Sequence, residues 1–343
     1  MNKTKPDEAL SGRSIAKRIV AKMKLQGQRK VVNIKNVIAG HAMTEGLQKT
    51  VVSRKELEGF HPAHAAYVYA QNQVSVMSEQ LTALKEMRPF ADMISKAEDL
   101  YVPSGPPMSP LTTSYFTCWA FFDACAGPAN ETVGTTILDV GTAFGMHPEL
   151  LRLIRLMQHS RMGFYIHRGR EGDVSVLEDL VTTAVYRAIV PAGYRGRKNE
   201  NWFVRLLPPP IPGGTEHVVF TTPYIVVHPD CADWLAYFRR TSPATAGFDD
   251  YERHMKYAPT REYWNDYVFE AYVSNQADVI YLAGLPDIPE SRPHSAVSEG
   301  ANYLRDRQAK AELARIDREL KRLKGQIAVL EERRSKLIAG SGK

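Results

Sequence analysis

The clearest periodicity in the chain lies near its carboxy terminus. Leu313, Ile316, Leu320, Leu323, Ile327, Leu330 and Leu337 follow steps of three and four, with Arg334 in the one polar position of the stripe. Glu312, Glu319, Lys324, Glu331 and Arg333 flank it. A stripe this narrow, charged on every other side, predicts a coiled-coil helix over 301–338 that is covered by another helix. At 1.5 Å per residue it would run roughly 55 Å. The pattern leaves open whether the partner is a second copy or another protein, and which way it runs.

A second helical pattern opens the chain. In 11–26, SGRSIAKRIVAKMKLQ, the apolar Ile15, Ile19, Val20 and Met23 recur at helical spacing, and Lys17, Arg18, Lys22 and Lys24 occupy the remaining arc. That is a basic amphipathic helix. The next stretch, VVNIKNVIAG, alternates like a strand. From Pro62 to about Lys96 the stretch PAHAAYVYAQNQVSVMSEQLTALKEM, without internal Gly or Pro, reads as one long helix, and Pro89 then breaks the chain before a shorter one. The first hundred residues therefore form a basic, mainly helical region. The segment 101–110, YVPSGPPMSP, is a semi-stiff linker.

Residues 111–162 form a helical layer in three pieces. LTTSYFTCWAFFDAC stops at Gly127-Pro128. The second helix carries Val133, Ile137, Val140 and Phe144 at three-to-four spacing, with Asn130 as its expected cap, and Pro148 opens the third. The period then changes to that of strands. GFYIHRG, DVSVLEDL, AVYRAIV, NWFVRLL and EHVVFTTPYIVV are rich in β-branched and aromatic residues and are separated by turn residues. They predict a small antiparallel β unit over 163–230, with enough strands for an OB- or SH3-like barrel. Residues 231–285 return to an aromatic-rich helical pattern, and 286–300 form a second linker. The fold class expected is α+β.

Composition narrows the function classes. With 343 residues, 44% hydrophobic and 24% charged, the chain has the balance of an ordinary globular protein. Its net charge of +6 is compatible with anionic partners. The excess is concentrated early: no acid occurs between Ala9 and Thr44, where Arg29, Lys30 and Lys35 join the helix cations. Cys118, Cys125 and Cys231 are too few for a disulfide framework and point to a reducing, cytoplasmic setting. The uncharged run from Leu100 to Phe122 is broken by four prolines, leaving too little apolar helix for a membrane span.

Candidate chemistry is sparse. ILDVGTAFG (137–145) resembles the first motif of Rossmann-like S-adenosylmethionine methyltransferases, with Asp139, Gly141 and Gly145 in place and Ala143 where that family has glycine. The resemblance implies a strand ending in an acid, then a glycine turn beside the cofactor. The same residues also satisfy helical spacing, which predicts a buried helix. A third arrangement is a helix–turn–helix built from NETVGTTILDV and PELLRLIRLMQHSR, with a β wing turning at 169–173. Its second helix would present Arg152, Arg155, His159 and Arg161. His61 and His64 flank Pro62 without a third ligand nearby, so no metal and no cofactor is expected.

The most suggestive surface is PAGYRGRKNENWFVR (191–205). Cations beside aromatics are how small barrels hold single strands. Arg195, Arg197, Lys198, Trp202 and Arg205 are therefore candidate nucleic-acid contacts, together with Lys17, Arg18, Lys22, Lys24, Arg29 and Lys30. Strand alternation sends Trp202 and Phe203 to opposite faces. The competing reading is a structural hairpin with a solvated tip. The expected function is a non-enzymatic assembly component that joins itself or a partner through 301–338 and contacts DNA or RNA. The alternatives are a methyltransferase-like enzyme and a structural subunit bound to an acidic protein.

Overall fold

The computed structural model describes residues 14–27, 51–102, 110–242 and 248–293, together with parts of 313–334. The expected strand at 31–40, Arg29, Lys30, Leu337, residues 103–109 of the first linker and 294–300 of the second lie outside the described residues.

Among the described residues six α-helices precede the sheet: α1 (Ile15–Gly27), α2 (Pro62–Thr82), α3 (Arg88–Tyr101), α4 (Thr113–Phe122), α5 (Val133–Ala143) and α6 (Pro148–His159). Pro62 and Pro148 each sit in the first turn of their helix, where a missing N–H costs nothing. The cap of α5 is Thr132, not Asn130. Its side chain accepts from Thr135 N while Thr135 Oγ1 accepts from Thr132 N, a reciprocal capping box. Asn130 instead takes a left-handed φ of 48° in the preceding turn. His61 caps α2 by accepting from Ala63 N at 3.3 Å, and the His64 ring lies between Phe60 and Phe220. Both histidines thus have structural roles.

The strands β1 (Met162–Glu171), β2 (Val174–Asp179), β3 (Val185–Ile189), β4 (Asn201–Leu207) and β5 (His217–Val219) close a barrel in the order β1-β2-β3-β5-β4-β1. Five strands cannot alternate direction around a closed ring. One neighbouring pair must be parallel, and it is β3 with β5. The purely antiparallel unit expected from the sequence is corrected on that ground. EHVVFTTPYIVV, read as one strand, is two: Pro223 separates β5 from β6 (Tyr224–His228).

β6 pairs with the amino-terminal half of β4 and carries the sheet outside the barrel. Helices α7 (Cys231–Thr241), α8 (Phe248–Tyr257) and α9 (Tyr263–Glu270) then cross over to β7 (Tyr272–Asn275) and β8 (Ile280–Ala283). β8 lies parallel to β6, as such a helical crossover allows. Residues 231–285 are therefore not helical throughout: they end in two sheet strands.

Tyr165, Leu177, Ala188, Trp202, Val204 and Val219 pack together inside the barrel. Outside it, two helical cores meet at α4. Phe116, Trp119 and Ala120 join the core with Phe164, Phe203, Trp234 and Trp264, while Cys118 and Phe122 join the core of α1, α2, α5 and α6. A helix buried on all sides is apolar all round, which is why TSYFTCWAFF carries no charge. α1 is anchored by the buried carboxylate of Glu131, which accepts from the backbone N–H of Ile15 at 2.5 Å and of Ala16 at 3.0 Å. A negative charge there offsets the helix dipole. The described residues between 313 and 334 are helical.

Candidate functional site

The segment 191–200 folds across one end of the barrel instead of forming a loose tip. Glu200 organises it. Its carboxylate accepts from Tyr194 Oη at 3.0 Å, from the backbone N–H of Arg197 at 2.9 Å and from Trp202 Nε1 at 3.2 Å. Backbone bonds from Asn199 N to His167 O and from His167 N to Glu200 O extend the β1–β4 ladder into the loop. The His167 ring stacks on Trp202 at 4.9 Å, and its Nδ1 lies 3.0 Å from the Arg197 carbonyl. Gly196, at φ 67°, approaches so closely that a Cβ would stand 2.5 Å from Trp202 Cζ2. Only glycine fits there.

This geometry assigns the sequence candidates different places. Arg195, Arg197 and Lys198 are exposed on the fixed loop. Nearby cations are neutralised: Arg168 pairs with Glu178 at 2.8 Å, Arg170 with Asp173 and Arg187 with Glu171. Among the described residues, the side chains of Arg195, Arg197 and Lys198 have no such partner. Trp202 is 0% exposed and fills the barrel, so its face is not offered to a base. Arg205 is 1% exposed and also interior. It shares the outer face of β4 with Phe203, but helices cover that face, so the expected surface contact is corrected to a buried ion cluster.

In that cluster the Asp123 carboxylate pairs with Arg205 Nη2 and, at 2.8 Å, with Lys256 Nζ. Lys256 also donates to the carbonyls of Gln158 at 2.7 Å and Ser160 at 2.9 Å, and Arg205 donates to Ser160 Oγ at 3.0 Å. Burial holds the Lys256 pKa below its ordinary value, with Asp123 opposing the shift. One carboxylate thus fastens α4, the end of α6, β4 and α8 together.

The cations of α1 are divided. Lys22 pairs with Glu86 at 3.1 Å, whereas Lys17 and Lys24 are exposed and Arg18 is half-buried. α1 shares its core with Leu207, at the end of β4 remote from the 191–200 loop. The two basic segments therefore lie toward opposite ends of that strand.

Residues 137–143 belong to α5, and Asp139 is exposed on it. The strand and glycine turn implied by the methyltransferase resemblance do not form. The helix–turn–helix elements do form, but two of the four candidate cations are engaged, and Arg161 falls just beyond the second helix. Arg152 contacts Glu149 and the Pro210 carbonyl, and buried Arg161 faces Asp179 and the Tyr251 ring. Arg155 and His159 remain exposed. Among the described residues no group of three or more His, Cys, Asp or Glu could hold a metal ion, and no helix is long and apolar enough to cross a membrane.

Comparison with known proteins finds no matching family model, curated protein or solved structure.

Two predictions test the barrel end. Glu200→Ala leaves Trp202 Nε1 and Arg197 N without acceptors and should cost about 2 kcal/mol of stability in urea denaturation. No loss would mean that water replaces the carboxylate. Acidification should also loosen this end. Burial lowers the His167 pKa below 6.5, with the Arg197 carbonyl and Glu200 opposing and Arg170 assisting. The unfolded chain therefore takes up this proton first, and the neutral ring's contribution is complete above pH 6.5 and lost as pH falls through the lowered value. The drop in melting temperature below pH 6.5 should be smaller in His167→Phe, which keeps a ring on Trp202.

Proposed function

We propose that this protein is a non-enzymatic connector that grips nucleic-acid phosphates with the loop across its barrel and assembles through its carboxy-terminal helix. The observation that carries the reading is the contrast in charge pairing. Arg168, Arg170 and Arg187 are matched to acids, while Arg195, Arg197 and Lys198 are held out with no acidic partner among the described residues, on a loop fixed by Glu200. A fixed loop loses little conformational entropy when it meets a phosphate backbone. Lys17 and Lys24 offer a second patch for a longer strand.

With Trp202 inside the barrel, recognition would run through phosphates and be indifferent to base sequence. Assembly is supported by the described seam positions, Leu313, Ile316, Leu320, Leu323, Ile327 and Leu330, which are 41–63% exposed on helical backbone. Two linked copies would raise avidity on one strand without any new contact. The test is a gel shift with a mixed-sequence single-stranded oligonucleotide at two salt concentrations. Binding at low salt that weakens steeply at high salt is expected; absence of binding at low salt removes the reading.

A further inference from the structure

A cleft of about 530 Å³ opens over the buried Asp123 cluster, lined by residues of α8, the 258–261 turn and the 123–130 segment. We propose that it binds a small molecule bearing a phosphate group. The volume falls in the usual range for small-ligand sites.

Charge supplies the first argument. Arg253, Lys256 and Arg261 line the cleft against Asp123 and Asp250, and Arg205 stands behind Asp123. Asp123 thus has two buried cations to itself, and the interior beneath the cleft is left positive. An excess of buried positive charge is costly, and an anion bound above it offsets that cost.

Unused donors supply the second. The Arg253 side chain has no hydrogen-bond or ion-pair partner among the described residues. Arg261 Nη1 donates only to Met93 Sδ, a weak acceptor. Lys256, by contrast, has all three donors engaged and acts on the anion through its charge. The wall is fixed: Trp119 Nε1 donates to the Arg261 carbonyl at 3.1 Å, and Ala258 turns the chain at a left-handed φ of 45°. The cleft is much larger than a phosphate, and the exposed ring of Tyr257 offers a surface for an organic body.

Half-buried Cys125 lies in the cleft and gives a direct readout. In a Cys231→Ser background, phenyl phosphate and inorganic phosphate are titrated by calorimetry while Cys125 alkylation is timed. Millimolar or tighter binding is expected, with phenyl phosphate the tighter probe and both slowing alkylation. Arg253→Gln and Arg261→Gln, at exposed positions, should each weaken binding about tenfold through loss of a charged hydrogen bond. The combined Arg195→Gln, Arg197→Gln and Lys198→Gln variant should keep both binding and Cys125 protection. Absence of binding, affinity unchanged in both arginine variants, or protection lost in the barrel-loop variant would each overturn the assignment.

Discussion

Replacing Asp123 with alanine should destabilise the protein by about 3–5 kcal/mol, the usual cost of stranding a buried charge. The reason lies in what remains. Arg205 and Lys256 keep their burial and lose the one carboxylate between them. Four elements loosen together, because the pair joins the end of α4 and β4 to α8 while Lys256 also holds the Gln158 carbonyl in the last turn of α6. Lys256→Met provides the internal comparison. It removes a buried cation that burial already disfavours and leaves Asp123 paired with Arg205. Ser160 O still accepts from Arg205 Nη1 at 3.1 Å, so one carbonyl, that of Gln158, loses its side-chain donor. That variant should cost about 1–2 kcal/mol. Denaturant titration separates the two. Equal losses would show that the cluster does not work by charge balance.

The second large effect concerns the helix at the carboxy-terminal end. Leu320, Leu323 and Ile327 occupy consecutive seam positions and are exposed. Water does not satisfy a continuous apolar ridge, and covering it is the driving force of coiled-coil association. Changing all three to glutamate places charge in every contact layer of that stretch. The variant should sediment as a single chain under conditions where the unaltered protein is larger. Its melting temperature should hold for the remainder of the fold, because these residues pack on none of its core clusters. A substituted protein that sediments like the original would remove this face from the account.

What the sequence made legible follows from locality. The three helices after the linker and the strands of the barrel were readable because period and punctuation lie within ten residues of each other. The β7 and β8 strands were not. Each has four residues, too few for alternation to show, and they follow the aromatic run of α9. The parity of the barrel is implicit in a count of five, because an odd closed ring cannot alternate direction throughout; what the segments do not show is that the last of them divides at Pro223 and sends its second half outside the ring.

The site shows the same boundary. Alternation in NWFVRLL correctly separated the faces of Trp202 and Phe203. It does not say that helices cover the outer face, so by local pattern alone Arg205 has the look of a surface cation. Its partner Asp123 is 82 residues away, and Lys256 is 133 from Asp123. No local pattern records such a meeting. Glu200, six residues from Tyr194 and two from Trp202, was within reach of local reading. An acid beside a buried indole and a tyrosine was the available signal.

The central claim is that Arg195, Arg197 and Lys198 hold phosphates. It is tested most directly by the salt dependence of single-strand binding in the unaltered protein and in the variant with all three changed to glutamine. If each cation displaces a counterion, the slope of log K against log salt should become less negative by about 2 in the variant, at about 0.7 per phosphate on a single strand. An identical slope and affinity in the two proteins would contradict the account.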